Sequence, residues 1–560
     1  MDNSGWNMWV FRDGRKLVTG KWLVAGLAMS LQALASCCDR EHLLDAILWA
    51  GELECALSDA DSIHVPVAAA ITDALAAALI GSSIARSEVL RQQLASIELC
   101  GTVRVSIPES FAYYALNPLK FADLVSRLEL THRHNDCNHR SQTAGVVGIR
   151  SIGTTLSAVV LAALRRQGIE AERITVRPSG HPYNRELKFS AQQLAWVNEL
   201  RSSDFLIVDE GPGLSGSSFL ATGEALLGAG VDEAKITFLG TRQPDPGALR
   251  ASDAAVRWAR FRSFFTSDER YLPEGAGTPL GGGAWRKHFL PADSQPGSWT
   301  QMEPLKFLSA DRQRIFRFEG YGRYGAEVGR RSAQLALARF APGYFGNFAG
   351  FGCYQYLSGR PALHSDLSNT ILQRMADYCA FRACAIHPEA EQPSDLERML
   401  RFDWKTEFGI ELGEEALLQL ARPVVADGRM LPHKWFLTSS GEALKLDAAT
   451  HGDDHFFPGP CDIAWDLAGT IVEWGLGSAA TETFLARYKN ISGDDPRPRL
   501  KAYLLAYGIF RCAYMKMAAK AMGGTIEEPL LHNQYMQYRA ICERIYNAQN
   551  VELAAEPLSY

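Results

Sequence analysis

The sequence lacks the marks of an exported, disulfide-bonded protein. Its 11 cysteines are odd in number and irregular in spacing, and no Cys-x-x-Cys pair occurs, so no disulfide framework is expected. Free thiols in a reducing cytosol, and hence a cytoplasmic location, are the expectation. A surplus of positive charge is also missing. The net charge is −6 and the pI near 6.1, which argues against a protein-wide nucleic-acid or membrane footprint. Neither an internal repeat nor a low-complexity tract is found. What is present is ordinary globular composition, with 47% apolar and 21% charged residues. A chain of 560 residues exceeds a single core, so two or three domains are expected.

One stretch imitates an export signal. Trp22 to Ala35 is apolar, Lys16 and Lys21 precede it, and Leu34-Ala35-Ser36-Cys37 looks like a lipoprotein cleavage box. Against this, Asp2 and Asp13 lie in the preceding segment, and Gln32 interrupts a run too short to span a bilayer. A buried amphipathic helix is expected there.

Along the chain, residues 1–130 read as a mostly helical N-terminal cap, with Ala- and Leu-rich segments at 22–36, 41–57 and 66–80. From residue 145 the texture changes to strand, Gly/Ser turn and helix in alternation. Val146–Ile149, Ile174–Val176, Phe205–Val208 and Ile236–Leu239 read as strands, with helices from Thr155 and from Ser217. This alternation predicts a parallel α/β sheet covered on both faces, within a domain at 131–260. Residues 261–301 read as a connecting segment, and 302–560 as an α+β domain with a helical tail.

The sharpest signal is Phe205-Leu206-Ile207-Val208-Asp209-Glu210-Gly211-Pro212-Gly213-Leu214-Ser215-Gly216-Ser217-Ser218. Two acids stand at the C-terminal end of a buried strand, where open α/β sheets place their ligands. Backbone amides of Gly211, Gly213 and Gly216, with the hydroxyls of Ser215, Ser217 and Ser218, suit a phosphate at a helix N-terminus. The bland alternative is a Gly/Ser turn after a buried strand. The pattern resembles the signature loop of type I phosphoribosyltransferases, although the acid pair stands about one residue further from the turn than is usual and serines replace threonines.

Arg150-Ser151-Ile152-Gly153-Thr154 resembles the pyrophosphate loop of the same family. The resemblance implies that Arg150, Ser151, Gly153 and Thr154 contact a diphosphate. Residues 177–188 are too polar and Pro-rich for a strand or helix and read as a flexible loop bearing Arg177, His181, Arg185 and Lys188. The expectation is a magnesium-dependent glycosyltransferase of the phosphoribosyltransferase type. It would bind phosphoribosyl pyrophosphate (PRPP) or a related ribose phosphate and transfer the ribose phosphate to an unidentified small-molecule acceptor. Asp209, Glu210 and Arg150 would be catalytic, with magnesium near Asp209 and Glu210. A nucleotide sensor without transfer chemistry and a ribosyl hydrolase or phosphorylase are the alternatives. A homodimer is among the partner expectations.

In the C-terminal region, Leu444-Lys445-Leu446-Asp447 is followed fifteen residues later by Asp462-Ile463-Ala464-Trp465-Asp466. This resembles the C-lobe of aminoglycoside-phosphotransferase-like kinases, with Arg317 on an N-lobe-like strand and Tyr354–Pro361 like a hinge. The resemblance implies a metal at Asp447, ATP as an optional ligand, and Asp462 anchoring a helix and the catalytic loop. The family's His-x-Asp-x-x-x-x-Asn is absent. Its place holds Asp427–Lys434, with Arg429 or Gly428 at the position of the catalytic Asp and Lys434 or His433 at that of the Asn. A degenerate or unusual kinase-like domain is therefore expected. His451, Asp453, Asp454 and His455 offer metal-ligand types, with Asp453 a candidate magnesium partner of Asp447. His132, His134, Asp136, Cys137 and His139 lack the ligand spacing of a zinc site and read as a substrate-contacting loop.

Overall fold

The computed structural model describes residues 8–82, 86–99, 101–128, 143–213, 215–267, 271–388, 395–450 and 454–548. The chain divides into two compact units. The N-terminal unit takes the described residues within 14–272 together with 320–323, and the C-terminal unit those within 1–13, 273–319 and 324–560.

The N-terminal unit begins with an antiparallel pair, Arg15–Thr19 on Thr102–Ser106. Helix α1 (Gly20–Ser36) is capped by the Thr19 hydroxyl, which accepts from the Trp22 amide. It buries Leu23, Leu27, Leu31 and Leu34, one stripe at helical spacing. The export-like segment is thus a half-buried amphipathic helix, and among the described residues no helix is long and apolar enough to cross a membrane. Helix α2 (Arg40–Asp59) starts at the Asp39 cap, and α3 (Val65–Leu79) has proline in its first turn, where the missing amide costs nothing.

A five-stranded sheet follows: β1 (Thr143–Ile149), β2 (Glu170–Val176), β3 (Asp204–Val208), β4 (Ile236–Gly240) and β5 (Arg262–Phe265), in the order β2-β1-β3-β4-β5. Every pairing is parallel. The five residues of β3 are all buried, as expected of a central strand covered on both faces. Helices α4 (Ile152–Arg166) and α5 (Ser217–Gly228) follow β1 and β3. The expected parallel sheet is present. Residues 177–188, expected to be irregular, contain a small hairpin of Ser179–His181 paired with Asn184–Glu186, because Gly180 at φ +98° and the Pro182-Tyr183 turn let two short polar segments pair.

The C-terminal unit opens on an antiparallel sheet of β6 (Ala276–Pro279), β7 (Lys306–Ser309), β8 (Arg314–Phe318), β9 (Tyr344–Phe348) and β10 (Phe351–Gln355), in the order β6-β7-β8-β10-β9. Helix α6 (Arg323–Leu337) connects β8 to β9. Three short strands, β11 (Gly359–Pro361), β13 (Trp435–Thr438) and β14 (Ala443–Lys445), form a second sheet. Between them in sequence, β12 (Pro423–Val425) pairs with β15 (Pro460–Asp462). Helices α7 (Asn369–Ala385), α8 (Leu396–Phe408), α9 (Ala464–Trp474), α10 (Ser478–Ser492), α11 (Arg497–Ala521) and α12 (Glu527–Asn547) make up the rest. They enclose a core in which Trp404, Trp435, Trp465 and Trp474 are buried. A chain mixing α and β, with a parallel sheet in its N-terminal unit, agrees with the fold class read from sequence; the narrower phosphoribosyltransferase fold is not supported.

Candidate functional site

In the N-terminal unit, Asp209 and Glu210 stand at the C-terminal end of β3, beside the start of α4. A side chain on Gly153 would lie 2.5 Å from the Val208 carbonyl and 3.5 Å from Asp209 Oδ1, so only glycine lets the two loops approach this closely. Ser151 before it is held at φ +98°. Asp209 Oδ1 accepts from the Glu210 amide at 2.9 Å. Burial and the adjacent Glu210 push the Asp209 carboxyl up to about 7. Burial and the Glu210 charge likewise raise Glu109 to about 6. Glu109 was not singled out from sequence; it lies about a hundred residues before the acid pair, in a segment with no pattern of its own.

The serine turn is closed by the chain itself. Ser215 and Ser217 hydroxyls donate to the Pro182 carbonyl at 2.9 and 2.7 Å, and lie 2.9 Å from each other. Gly213 and Gly216 take positive φ within the turn, Gly211 precedes it, and Ser218 lies in the first turn of α5, where its carbonyl accepts from Thr222. Arg150 and Arg177 both bind Asp59 of α2, at 3.1 Å and 2.5 Å. Arg185 donates to the Pro178 carbonyl at 3.2 Å, His181 Nδ1 accepts from the Tyr183 amide at 3.2 Å, and Lys188 is exposed. Thr154 is buried at the start of α4. The Ser215 and Ser217 hydroxyls are thus occupied by one carbonyl, and the Arg150 and Arg177 guanidiniums by one carboxylate.

In the C-terminal unit, a cleft is lined by residues from the antiparallel sheet, from the helix Trp285–Phe289 and from the β13–β14 region. Ile315, Leu335, Ala341, Pro342 and Leu446 give it an apolar wall, with Phe289 and Tyr356 alongside, their rings 6.4 Å apart. In the same lining Asp447, held at φ +54°, meets three cations. Lys306 Nζ is 3.0 Å, Lys434 Nζ 2.5 Å and Arg317 Nε 3.2 Å from its carboxylate. Trp285 lies beside these groups, its ring 5.4 Å from that of His433 and 5.5 Å from Lys434 Nζ. Burial drives the His433 imidazole well below its ordinary pKa, so it is neutral.

Asp427, the one acid in the segment preceding β13, is fully buried. Its carboxylate accepts from the Tyr378 hydroxyl and the Arg429 amide and pairs with Lys445 at 3.1 Å. The anchoring expected of Asp462 divides between two residues. Asp462 accepts from Ala421, Arg422 and Ala464 amides and binds Arg499, whereas the loop amides of Asp427 and Gly428 bind Asp466 at 2.8 and 2.9 Å. Asp466 lies in the first turn of α9, four residues after Asp462 at the end of β15. Lys306, a charge on an otherwise apolar strand, was not picked out.

Magnesium, the ion that the kinase resemblance implies, does not suit this donor set. One carboxylate is matched by three positive groups, and among the described residues no three metal-ligating side chains converge at Asp447. Asp453 and His451 lie outside the described residues, as do His132, His134, Asp136, Cys137 and His139. Asp454 is raised to about 6 by burial. His455 is lowered to about 3 by burial and stacks on Phe11, with 5.5 Å between centroids. Among the described residues one trio of metal-ligand side chains does converge, Cys37, Asp39 and His42, where Asp39 caps α2 by accepting from the His42 amide.

No known protein family matches the chain, and no curated protein matches it. Solved structures similar to it include choline kinase LicA from Streptococcus pneumoniae, at 13% identity and TM-score 0.30, covering 42% of this chain and 88% of that one. A choline/ethanolamine kinase family protein from Mesorhizobium loti is 14% identical with TM-score 0.31, over 44% and 86% of the two chains. Macrolide 2'-phosphotransferase MphH from Brachybacterium faecium is 19% identical with TM-score 0.26, over 42% and 88%. These are kinase-type proteins, and none of the three is a phosphoribosyltransferase. With the serine turn and arginines closed as described, the expectation of a glycosyltransferase consuming PRPP is corrected.

Proposed function

We propose that the C-terminal unit is a kinase-type, small-molecule phosphotransferase unit whose cleft binds a nucleoside polyphosphate, with ATP the first candidate. The observation that carries this reading is one cleft lined both by apolar and aromatic side chains and by three cations. Ile315, Leu335, Phe289 and Tyr356 suit the faces of a flat base, which rings and aliphatic side chains can cover. Lys306, Arg317 and Lys434 suit phosphate oxygens.

Binding is better supported than rapid transfer. A kinase needs a carboxylate free to take the acceptor's proton, and Asp427 is held by Tyr378, Lys445 and the Arg429 amide. Slow or absent turnover is the expected behaviour.

The test is calorimetric titration of the full chain with ATP, ADP and adenosine, alongside a transfer assay with amino alcohols as acceptors. Saturable binding of ATP, weaker for adenosine, supports the reading. A folded protein that binds none of the three refutes it.

A further inference from the structure

We propose that the cleft of the C-terminal unit holds the phosphate chain of its ligand on Lys306, Arg317 and Lys434 instead of a divalent metal, so that binding is metal-independent. This rests on the nucleotide-binding reading of the same cleft.

The three cations come from separate elements. Lys306 is on β7, Arg317 on β8, and Lys434 precedes β13, yet all reach the single carboxylate of Asp447. Their side chains are only 13, 7 and 16% exposed. One of them would neutralise Asp447. The other two are opposed only by acids further off, Glu319, Glu303 and Asp454, in a place where water screens little.

Among the described residues the neighbouring acids oppose this charge only in part. Glu319 is 4.0 Å from Arg317 but is bound by the Tyr354 hydroxyl, and burial raises it to about 7. Glu303 accepts from the Gly283 amide and the Ser298 hydroxyl. Asp427 is matched by Lys445. Gathering like charges in a half-buried pocket opposes folding unless an anion joins them, so the arrangement points to a ligand rich in phosphate oxygens.

The experiment titrates the full chain with ATP and with inorganic tripolyphosphate, once with magnesium in excess and once in EDTA. ATP affinity is expected to agree within about threefold between the two buffers. Comparable binding of tripolyphosphate would identify the phosphate chain as the recognised part, and stronger binding of ATP would add the base. Lys434→Asn, and separately Lys306→Met, should each weaken binding in EDTA by about tenfold or more, with circular dichroism showing an intact fold. Loss of about tenfold in wild-type affinity on removing magnesium would overturn metal independence while leaving the nucleotide site standing. Absence of binding in both buffers would remove the site itself.

Discussion

Arg173 of β2 forks onto Glu54 of α2, with both contacts at 2.7 Å and both side chains almost wholly buried. Asp73 of α3 takes the Nε of the same guanidinium at 2.5 Å. The helical layer of the N-terminal unit is thereby tied to its parallel sheet through one cation. Such a triad adds little net stability over an apolar packing, but removing one member strands the rest.

Arg173→Met is therefore expected to destabilise the N-terminal unit by about 3–5 kcal/mol. Adding Glu54→Leu should recover a large part of the loss. Urea unfolding followed by circular dichroism would measure both, and a single variant as stable as wild type would show that the pair does not couple the layers.

Asp209 supplies a pH dependence of opposite sign to the usual carboxylate. Its folded pKa of about 7 lies above the ordinary 3.8, so the folded state favours the protonated acid. The stabilising term is full below about 4 and is lost as the pH rises through 7. Glu109, Glu210, Arg177 and Arg185 face the same region. Asp209→Asn should match wild type in acid and exceed it by about 1–3 kcal/mol above neutrality. Thermal melts across pH would test this, and an unchanged difference at all pH values would contradict it.

Closure of the serine turn predicts a protease phenotype. Replacing both Ser215 and Ser217 by Ala removes both hydroxyl bonds to Pro182 and should loosen the 177–188 hairpin. Trypsin cleavage after Arg185 is expected to rise by about threefold or more. Equal cleavage rates would mean that these bonds do not hold the segment.

In the C-terminal cleft, burial lowers Lys306 to about 8, with Lys434 and Arg317 pulling it the same way and Asp447 against. An anionic ligand needs the charged form, so ATP affinity should fall as the pH rises through about 8. Lys306→Arg keeps its charge and should flatten that profile. A wild-type profile already flat across this range would exclude Lys306 from the ligand contact.

Much of the local structure was legible because its signals are short-range. The run Phe205–Val208, bounded by acids and a glycine-rich turn, could hardly be anything but a buried strand entering a helix. The same holds for the stripe of α1. The hairpin at 179–186 was missed because its residues are polar and its pairing depends on one glycine at positive φ.

The sequence by itself determined the core strands of the parallel sheet and the helices that follow them, and that acids and serines gather at the end of β3. Tertiary structure alone decided what those groups face. Ser217 meets a carbonyl 35 residues away, and Lys306 a carboxylate 141 residues away. Periodicity is set by neighbours along the chain, whereas the partner of a charge or hydroxyl is set by whichever group folding brings within about 3 Å.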